Sequence, residues 1–268
     1  MTNPPNSSDR PWEGADAYEA FMGRWSRPLA RKFLEGLTPR AGAHWLEMGC
    51  GTGALTDAIC ERCDPASVVA CDPSAPFLER ARQRVSDGRA TFVVAGAENL
   101  PEREGGFDLV VSGLVLNFVP DPGAAAASIR RRLRPGETFA AYVWDYSEGM
   151  EFLRAFWEEA IAADPSVAAR AENLGFPLCR RPALASLLET AGFAQVQTGA
   201  VEIPTDFADF DDYWQPFLGG AGTGPSFLAT LDEPSRDRLR ERLRHRLVPG
   251  SDGRIRLTAR ALSVRGLA

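Results

Sequence analysis

Glu47 stands ahead of Gly49, Gly51 and Gly53 in the stretch LEMGCGTGAL, and a second acid, Asp72, closes the next apolar run, VVACD. Glycines this dense between a strand and a helix let a backbone approach a ligand closely. Dinucleotide enzymes space such glycines as G-x-G-x-x-G, to bring helix N–H groups up to a pyrophosphate. The spacing here is one residue tighter. A carboxylate beside the turn repels a diphosphate and attracts an ammonium or a sulfonium. Asp72, at a strand end, is placed to accept hydrogen bonds from both ribose hydroxyls. The implied ligand has a ribose and a positive charge but no diphosphate.

Those residues need a scaffold that presents strand ends along one edge. The pattern supplies it. Strands are expected at 44–48, 68–71, 91–94, 107–112 and 138–144, with helices at 54–61, 74–85 and 123–133. The run FDLVVS is apolar enough to be covered on both faces. Strands alternating with helices predict parallel βαβ units. The expected fold is α/β: a Rossmann-like seven-stranded sheet, mostly parallel with the last strand antiparallel, sandwiched by helices and carrying helical lid insertions. In such a sheet ligands gather at the carboxyl ends of the strands, where Glu47 and Asp72 fall. S-adenosylmethionine matches the ligand described.

Composition narrows the setting. The chain has 268 residues, 44% of them hydrophobic, and a net charge of −6. That supports a sizeable core and offers no global attraction to nucleic acid or an anionic membrane. No apolar run approaches a bilayer span, so a cytoplasmic protein is expected. Five irregularly spaced cysteines argue against a disulfide framework. Cys60 and Cys63 form a C-x-x-C pair that no second pair or histidine completes as a zinc site. Among carboxylates no divalent-metal cluster stands out, and metal-independent chemistry is expected. A frayed tail is expected over residues 1–12, then one domain over 13–268: an N-terminal helical lid (13–40), a ligand-binding core (44–145), and cap insertions at 149–181 and 204–252.

In order along the chain, LEMGCGTGALT, VVACDP, AGAENLP, FDLVVSGLVLNFV and LRPGETFAAYVW resemble the motifs of class I S-adenosylmethionine-dependent methyltransferases, closest to the small-molecule, ubiquinone-biosynthesis-like branch. The resemblance covers roughly residues 15–145. It implies S-adenosyl-L-methionine as donor and S-adenosyl-L-homocysteine as product. It implies that Glu47 orders water or the ligand's ammonium, and that Gly49, Cys50, Gly51 and Gly53 carry the backbone beneath the methionine moiety. Asp72 would bind the ribose, Pro73 and Ser74 flank the adenine, and Ala97 and Glu98 meet its amino edge. Ser112, Gly113 and Leu114 would lie beside the methionine chain, with Asn117 near the methyl group. The segment YEAFMGRWS resembles the family's lid, with Arg24 for the ligand's carboxylate and Tyr18, Phe21 and Trp25 as walls.

Methyl transfer from a sulfonium is an in-line displacement in which the protein aligns and desolvates the acceptor. His44 begins the first strand, at the wrong end of the sheet, and His245 sits on a charged helix. The polar groups expected to face the acceptor are therefore Asp145 and Tyr146, beside Trp144 at the end of strand five; Asp145 could instead cap the next helix. Trp157, Tyr213, Trp214 and Phe217 in the insertions are expected to wall an apolar or aromatic small-molecule pocket, although they could equally pack the insertions themselves. A monomer or homodimer is expected. The competing functions are an RNA or protein methyltransferase, a non-catalytic S-adenosylmethionine-binding protein, and a nicotinamide oxidoreductase, the last disfavoured by Glu47 and the glycine spacing.

Overall fold

Strand His44–Met48 (β1) lies third, beside the central β4, in a seven-stranded sheet with order β3-β2-β1-β4-β5-β7-β6. The remaining strands are Ser67–Asp72 (β2), Ala90–Val94 (β3), Phe107–Gly113 (β4), Leu133–Trp144 (β5), Ala194–Phe207 (β6) and Ile255–Leu267 (β7). The computed structural model describes residues 18–171, 176–219 and 222–268. The tail expected over residues 1–12, and the first residues of the expected lid, lie outside them.

β1 through β5 pair in parallel, and β7 enters antiparallel between β5 and β6. The carboxyl ends of β1, β2, β4 and β5 therefore share one edge, and the residues that follow them meet there. β4 is buried along its whole length up to Ser112, as the apolar Leu109–Val111 requires in a sheet covered on both faces, with the buried Asp108 paired to Arg40 and Arg134. Helices Ala54–Arg62 (α2), Ala75–Arg84 (α3) and Pro122–Arg132 (α4) are the crossovers. Asp121 caps α4 by accepting from the Ala124 amide, with Pro122 at its first position.

β5 begins five residues earlier than the sequence implies. Arg134-Pro135-Gly136 lies between the expected helix and strand, but Gly136 adopts φ +80° and donates its amide to the Ala268 carbonyl, keeping the segment in the sheet. β6 likewise runs on past Ile203 to Phe207, held by pairing with β7 back to Ile255. The second insertion is correspondingly shorter, 208–254.

Ahead of β1, the chain forms a π-helix over Glu19–Gly23 and then an α-helix, Arg24–Glu35 (α1). The change of register falls one turn before Pro28, whose ring cannot donate to the carbonyl four residues back. π turns of this kind cluster at functional sites. The first insertion carries Glu151–Ala163 (α5) and a 3-10 segment Pro165–Arg170, and Arg181–Thr190 (α6) follows it and leads into β6. The second carries Phe210–Trp214 (α7), Thr223–Ala229 (α8) and Glu233–Arg246 (α9). Phe156 stacks on Phe217 at 4.5 Å, and Tyr213, fully buried, donates its hydroxyl to the Phe152 carbonyl at 3.0 Å. The two insertions thus form one aromatic cap.

Candidate active site

The glycine turn is built by hydrogen bonds to the neighbouring strand. Gly49 and Cys50 both donate their amides to the Cys71 carbonyl, at 2.8 and 3.0 Å. Gly49 sits at φ +72°, where a Cβ would also lie 2.5 Å from Val115 Cγ1. Gly51, at φ +53°, differs: a Cβ there would meet nothing within 4 Å. Its outer side is open space, the feature that a close backbone approach to a ligand requires. Asp72 pins the turn from below: one carboxylate oxygen accepts from the Gly51 amide at 2.9 Å, the other from Ser74 at 2.8 Å. Burial raises the Asp72 pKa, and these two amides oppose the rise.

Glu47 lies beneath the turn, 1% exposed, and accepts from the Thr56 hydroxyl of α2 at 2.5 Å. Desolvation pushes its pKa up to about 7, with the Asp72 charge adding to the rise. A buried carboxyl held at half charge near neutrality is stabilised as the anion by any cation brought beside it. Cys50 is buried, and that burial, then Glu47, pushes its thiol well above its usual range. The five cysteines are free thiols.

Along the same edge, Ser112 ends the buried part of β4 with its hydroxyl lacking any hydrogen-bond partner among the described residues. Gly113 follows against the Tyr142 ring, where a Cβ would come within 2.6 Å of the hydroxyl. Leu114 holds φ +63° and donates its amide to the Tyr142 carbonyl. A non-glycine residue in that region stores of order 1–2 kcal/mol and is typical of functional turns. Asn117 sits on the 3-10 turn Leu116–Phe118, and its buried amide nitrogen also lacks a partner. Phe118 packs edge-on to Phe176 at 5.1 Å, and Phe176 stacks on Tyr146 at 5.1 Å. Tyr146 and Trp157 then share a cavity of about 130 Å3 with Leu153, Arg154 and Ile161. On the ribose side, Pro73 and Ser74 start α3, while Ala97 and Glu98 form a 3-10 turn, with Glu98 exposed.

Several expected site residues stand elsewhere. Arg24 is clasped by Asp212 of the cap at 2.8 and 3.1 Å and lies over the rings of Trp25 and Phe207, so its charge is committed to holding the lid on the cap. Asp145 is committed to partners within the protein. It is 2% exposed, accepts from Arg260 at 2.6 and 2.8 Å, and accepts from the Ser147 hydroxyl and the Glu148 amide in the turn that follows β5; it does not cap the next helix, whose N-cap is Met150. Tyr213, Trp214 and Phe217 are packed inside the cap, and Phe21 and Trp25 pack onto it through Phe152, Phe207 and Phe217. Apolar rings this large are stabilised by several kcal/mol when buried, and an insertion with no sheet of its own needs them as core. Trp144 is buried within β5. Tyr18 reaches the Ser26 hydroxyl at 2.8 Å and packs on Phe77. His44, first in β1, meets the Ser67 hydroxyl at the opposite end of the sheet; His245 is on the exposed side of α9.

Four residues, Glu19, Thr52, Thr56 and Arg84, were missed by sequence reasoning. Glu19 reaches over the turn to Thr52 and Arg84, and Thr56 anchors Glu47. These contacts join segments distant in the chain, and local spacing carries no trace of them.

The geometry meets its relatives at this point. A family model described as a methyltransferase domain matches residues 46–141. A nocamycin O-methyltransferase of Saccharothrix syringae is 30% identical over 201 residues, covering 68% of this chain and 70% of that protein. A malonyl-[acyl-carrier protein] O-methyltransferase of Geobacter sulfurreducens is 34% identical over 152 residues, 56% of this chain and 55% of that protein. The chain thus spans about half the length of the second relative. In fold, it is similar to a Haemonchus contortus phosphoethanolamine N-methyltransferase 2 solved with S-adenosyl-L-methionine: TM-score 0.56 at 19% identity, over 95% of this chain and 56% of that one. On the extent of the nocamycin O-methyltransferase match, together with the methyltransferase-domain match over the glycine turn and β1–β5, the chain belongs to the class I S-adenosylmethionine-dependent methyltransferase family.

Proposed function

We propose that this chain transfers a methyl group from S-adenosylmethionine to a small, partly apolar or aromatic metabolite by in-line displacement. The observation that carries the proposal is the open space over Gly51, with Asp72 beside it and the half-charged Glu47 beneath. The residues present suit the donor. The backbone of Gly49–Gly53 would pass under its methionine chain, Asp72 would take its ribose, and Pro73, Ser74, Ala97 and Glu98 its adenine. The unpartnered hydroxyl of Ser112 and the strained Leu114 would face its amino-acid end. When bound, the donor supplies a methyl group already activated on sulfur.

What remains for the protein is to seat and dry the acceptor. Phe118, Phe176 and Tyr146 follow one another by ring contact from the end of β4 to the cavity at Trp157, and with the unpartnered amide of Asn117 they would wall the acceptor. Both sequence relatives are O-methyltransferases by name, which favours an oxygen acceptor. An alcohol would need a base. His44, His245 and Asp145 are not placed to serve as one, whereas a carboxylate is already a nucleophile. A small carboxylic acid is the acceptor class we favour; Glu158, which also lines the cavity, is the group that would serve a hydroxyl acceptor as base. Among the described residues no helix is long and apolar enough to cross a membrane.

The test is incubation with methyl-labelled donor and a metabolite extract, read by mass spectrometry. Label in a small molecule, released by mild alkali as expected of an ester, supports the proposal. Alkali-stable label in a small molecule rejects the carboxylate alone. Label only in RNA or protein, or none, rejects the reading of a small-molecule enzyme.

A further inference from the structure

The carboxylate of Glu19, on the π-helix, is the densest polar junction between the N-terminal segment and the glycine turn. It accepts from Arg84 of α3 at 2.6 Å, from Arg27 at 2.7 Å, and from the Thr52 hydroxyl inside the turn. Arg84 also donates to the Thr52 carbonyl at 2.8 Å and its hydroxyl at 3.0 Å. Glu19, Arg84 and Thr52 thus form a closed triangle across three chain segments. Gly23 makes room for it: a Cβ there would lie 2.7 Å from the Glu19 carboxyl carbon. The Glu19 side chain is 13% exposed and that of Arg84 17%, so solvent screens the pair only in part. Burial alone would raise the Glu19 pKa, but its bonds to Arg84 and Thr52 outweigh that and hold it below the ordinary value. The same segment continues into Arg24, clasped by Asp212, so it is fastened to the core at one end and to the cap at the other.

We propose that Glu19 is a positioning residue: a latch that fixes the N-terminal π-helix over the glycine turn and sets how long a nucleoside stays in the donor site. This rests on the donor reading above for the nature of the ligand, but not for the latch itself. With Glu19 in place, Thr52 is held from outside while Asp72 holds Gly51 from below, and the turn is fixed from both sides. When the latch opens, the segment lifts and the crevice is uncovered. Arg27 is a built-in control. It bonds Glu19 from the same segment, so losing it leaves both ties to the core, whereas losing Arg84 removes the charged tie and leaves the Thr52 hydroxyl alone.

Two readouts on the full chain test this. Without ligand, hydrogen exchange of residues 18–35 and 49–56 should quicken about tenfold in Glu19→Gln and Arg84→Gln, and not in Arg27→Gln. With S-adenosylhomocysteine as probe, stopped-flow release should speed by about tenfold in the first two variants only. The double variant should be no worse than either single one, as expected of coupled partners. Gly23→Ala, which drives the Glu19 carboxylate off its site, should behave like Glu19→Gln and serves as the second variant. A general loss of stability would instead make Arg27→Gln as harmful as Arg84→Gln. Unchanged exchange in Glu19→Gln and Gly23→Ala, or equal effects in all variants, overturns the latch. If the unaltered chain fails to bind the probe while the exchange pattern holds, the donor reading falls and the latch stands.

Discussion

Replacing Glu47 with glutamine separates the electrostatic role of this carboxyl from its packing, because the two side chains are nearly isosteric. In the free protein burial holds Glu47 at a pKa of about 7, against an ordinary 4.5. A ligand cation at roughly 5 Å, with an effective dielectric near 20, favours the anion by about 3 kcal/mol. That is about the energy needed to return the group to its ordinary value. Donor binding near pH 6 should therefore release about 0.9 proton, and affinity should climb roughly 40-fold between pH 5 and pH 7. The range stops there because the ligand's own α-amino group titrates at about 7.7–8.0. Isothermal calorimetry in buffers of different ionisation enthalpy reads the released proton directly. In Glu47→Gln the release should vanish and the pH dependence flatten. The fold carries the same signature with the sign reversed. The folded pKa lies above the unfolded one, so the stability Glu47 contributes is complete below about 4.5 and lost as pH rises through about 7. Glu47→Gln should thus stabilise the free protein by about 2–3 kcal/mol more at pH 8 than at pH 5. Binding of the donor with no proton release at pH 6, and equal pH slopes in both proteins, would refute the reasoning.

The remaining expectations concern packing and charge pairing. Gly49→Ala should cost about 2–4 kcal/mol in urea denaturation, combining positive φ with the collision at Val115. Asp145→Asn should cost about 1–3 kcal/mol in stability by loosening Arg260, with kcat falling less than about tenfold; a loss of about a hundredfold or more at unchanged stability would restore it as a base. Trp214→Ala should lower stability by about 3–5 kcal/mol, as expected for a buried Trp, and a wild-type unfolding midpoint with an altered acceptor KM would return it to the pocket wall.

The sheet was legible because period, apolar runs and glycines encode it locally. β1 falls at His44–Met48 and β2 ends at Asp72, where the apolar runs before the glycine turn and before the acid imply. Strand ends set by partners were not legible: Phe207 belongs to β6 because Ile255 pairs with it, which no pattern in β6 itself announces. Site residues divide the same way. Glu47 and the glycines are chemical oddities in an apolar context and stand out. Tyr213, Trp214 and Phe217 looked like pocket walls because aromatic residues serve both pockets and cores, and only burial distinguishes the two. Arg24 looked like a free cation because its partner, Asp212, lies far along the chain. Glu19 gave no signal for the same reason: its meaning lies in Arg84 and Thr52, which folding alone brings to it.

The claim beneath all of this is that the crevice at Glu47, Gly51 and Asp72 receives a nucleoside bearing a cationic amino-acid chain. Calorimetric titration of the full chain with S-adenosylmethionine, S-adenosylhomocysteine and NAD tests it most directly. One-site binding of the first two, abolished by Asp72→Ala, with no heat from NAD, is the predicted result. Binding of NAD with none of the other two, or nucleoside binding indifferent to Asp72, would contradict it.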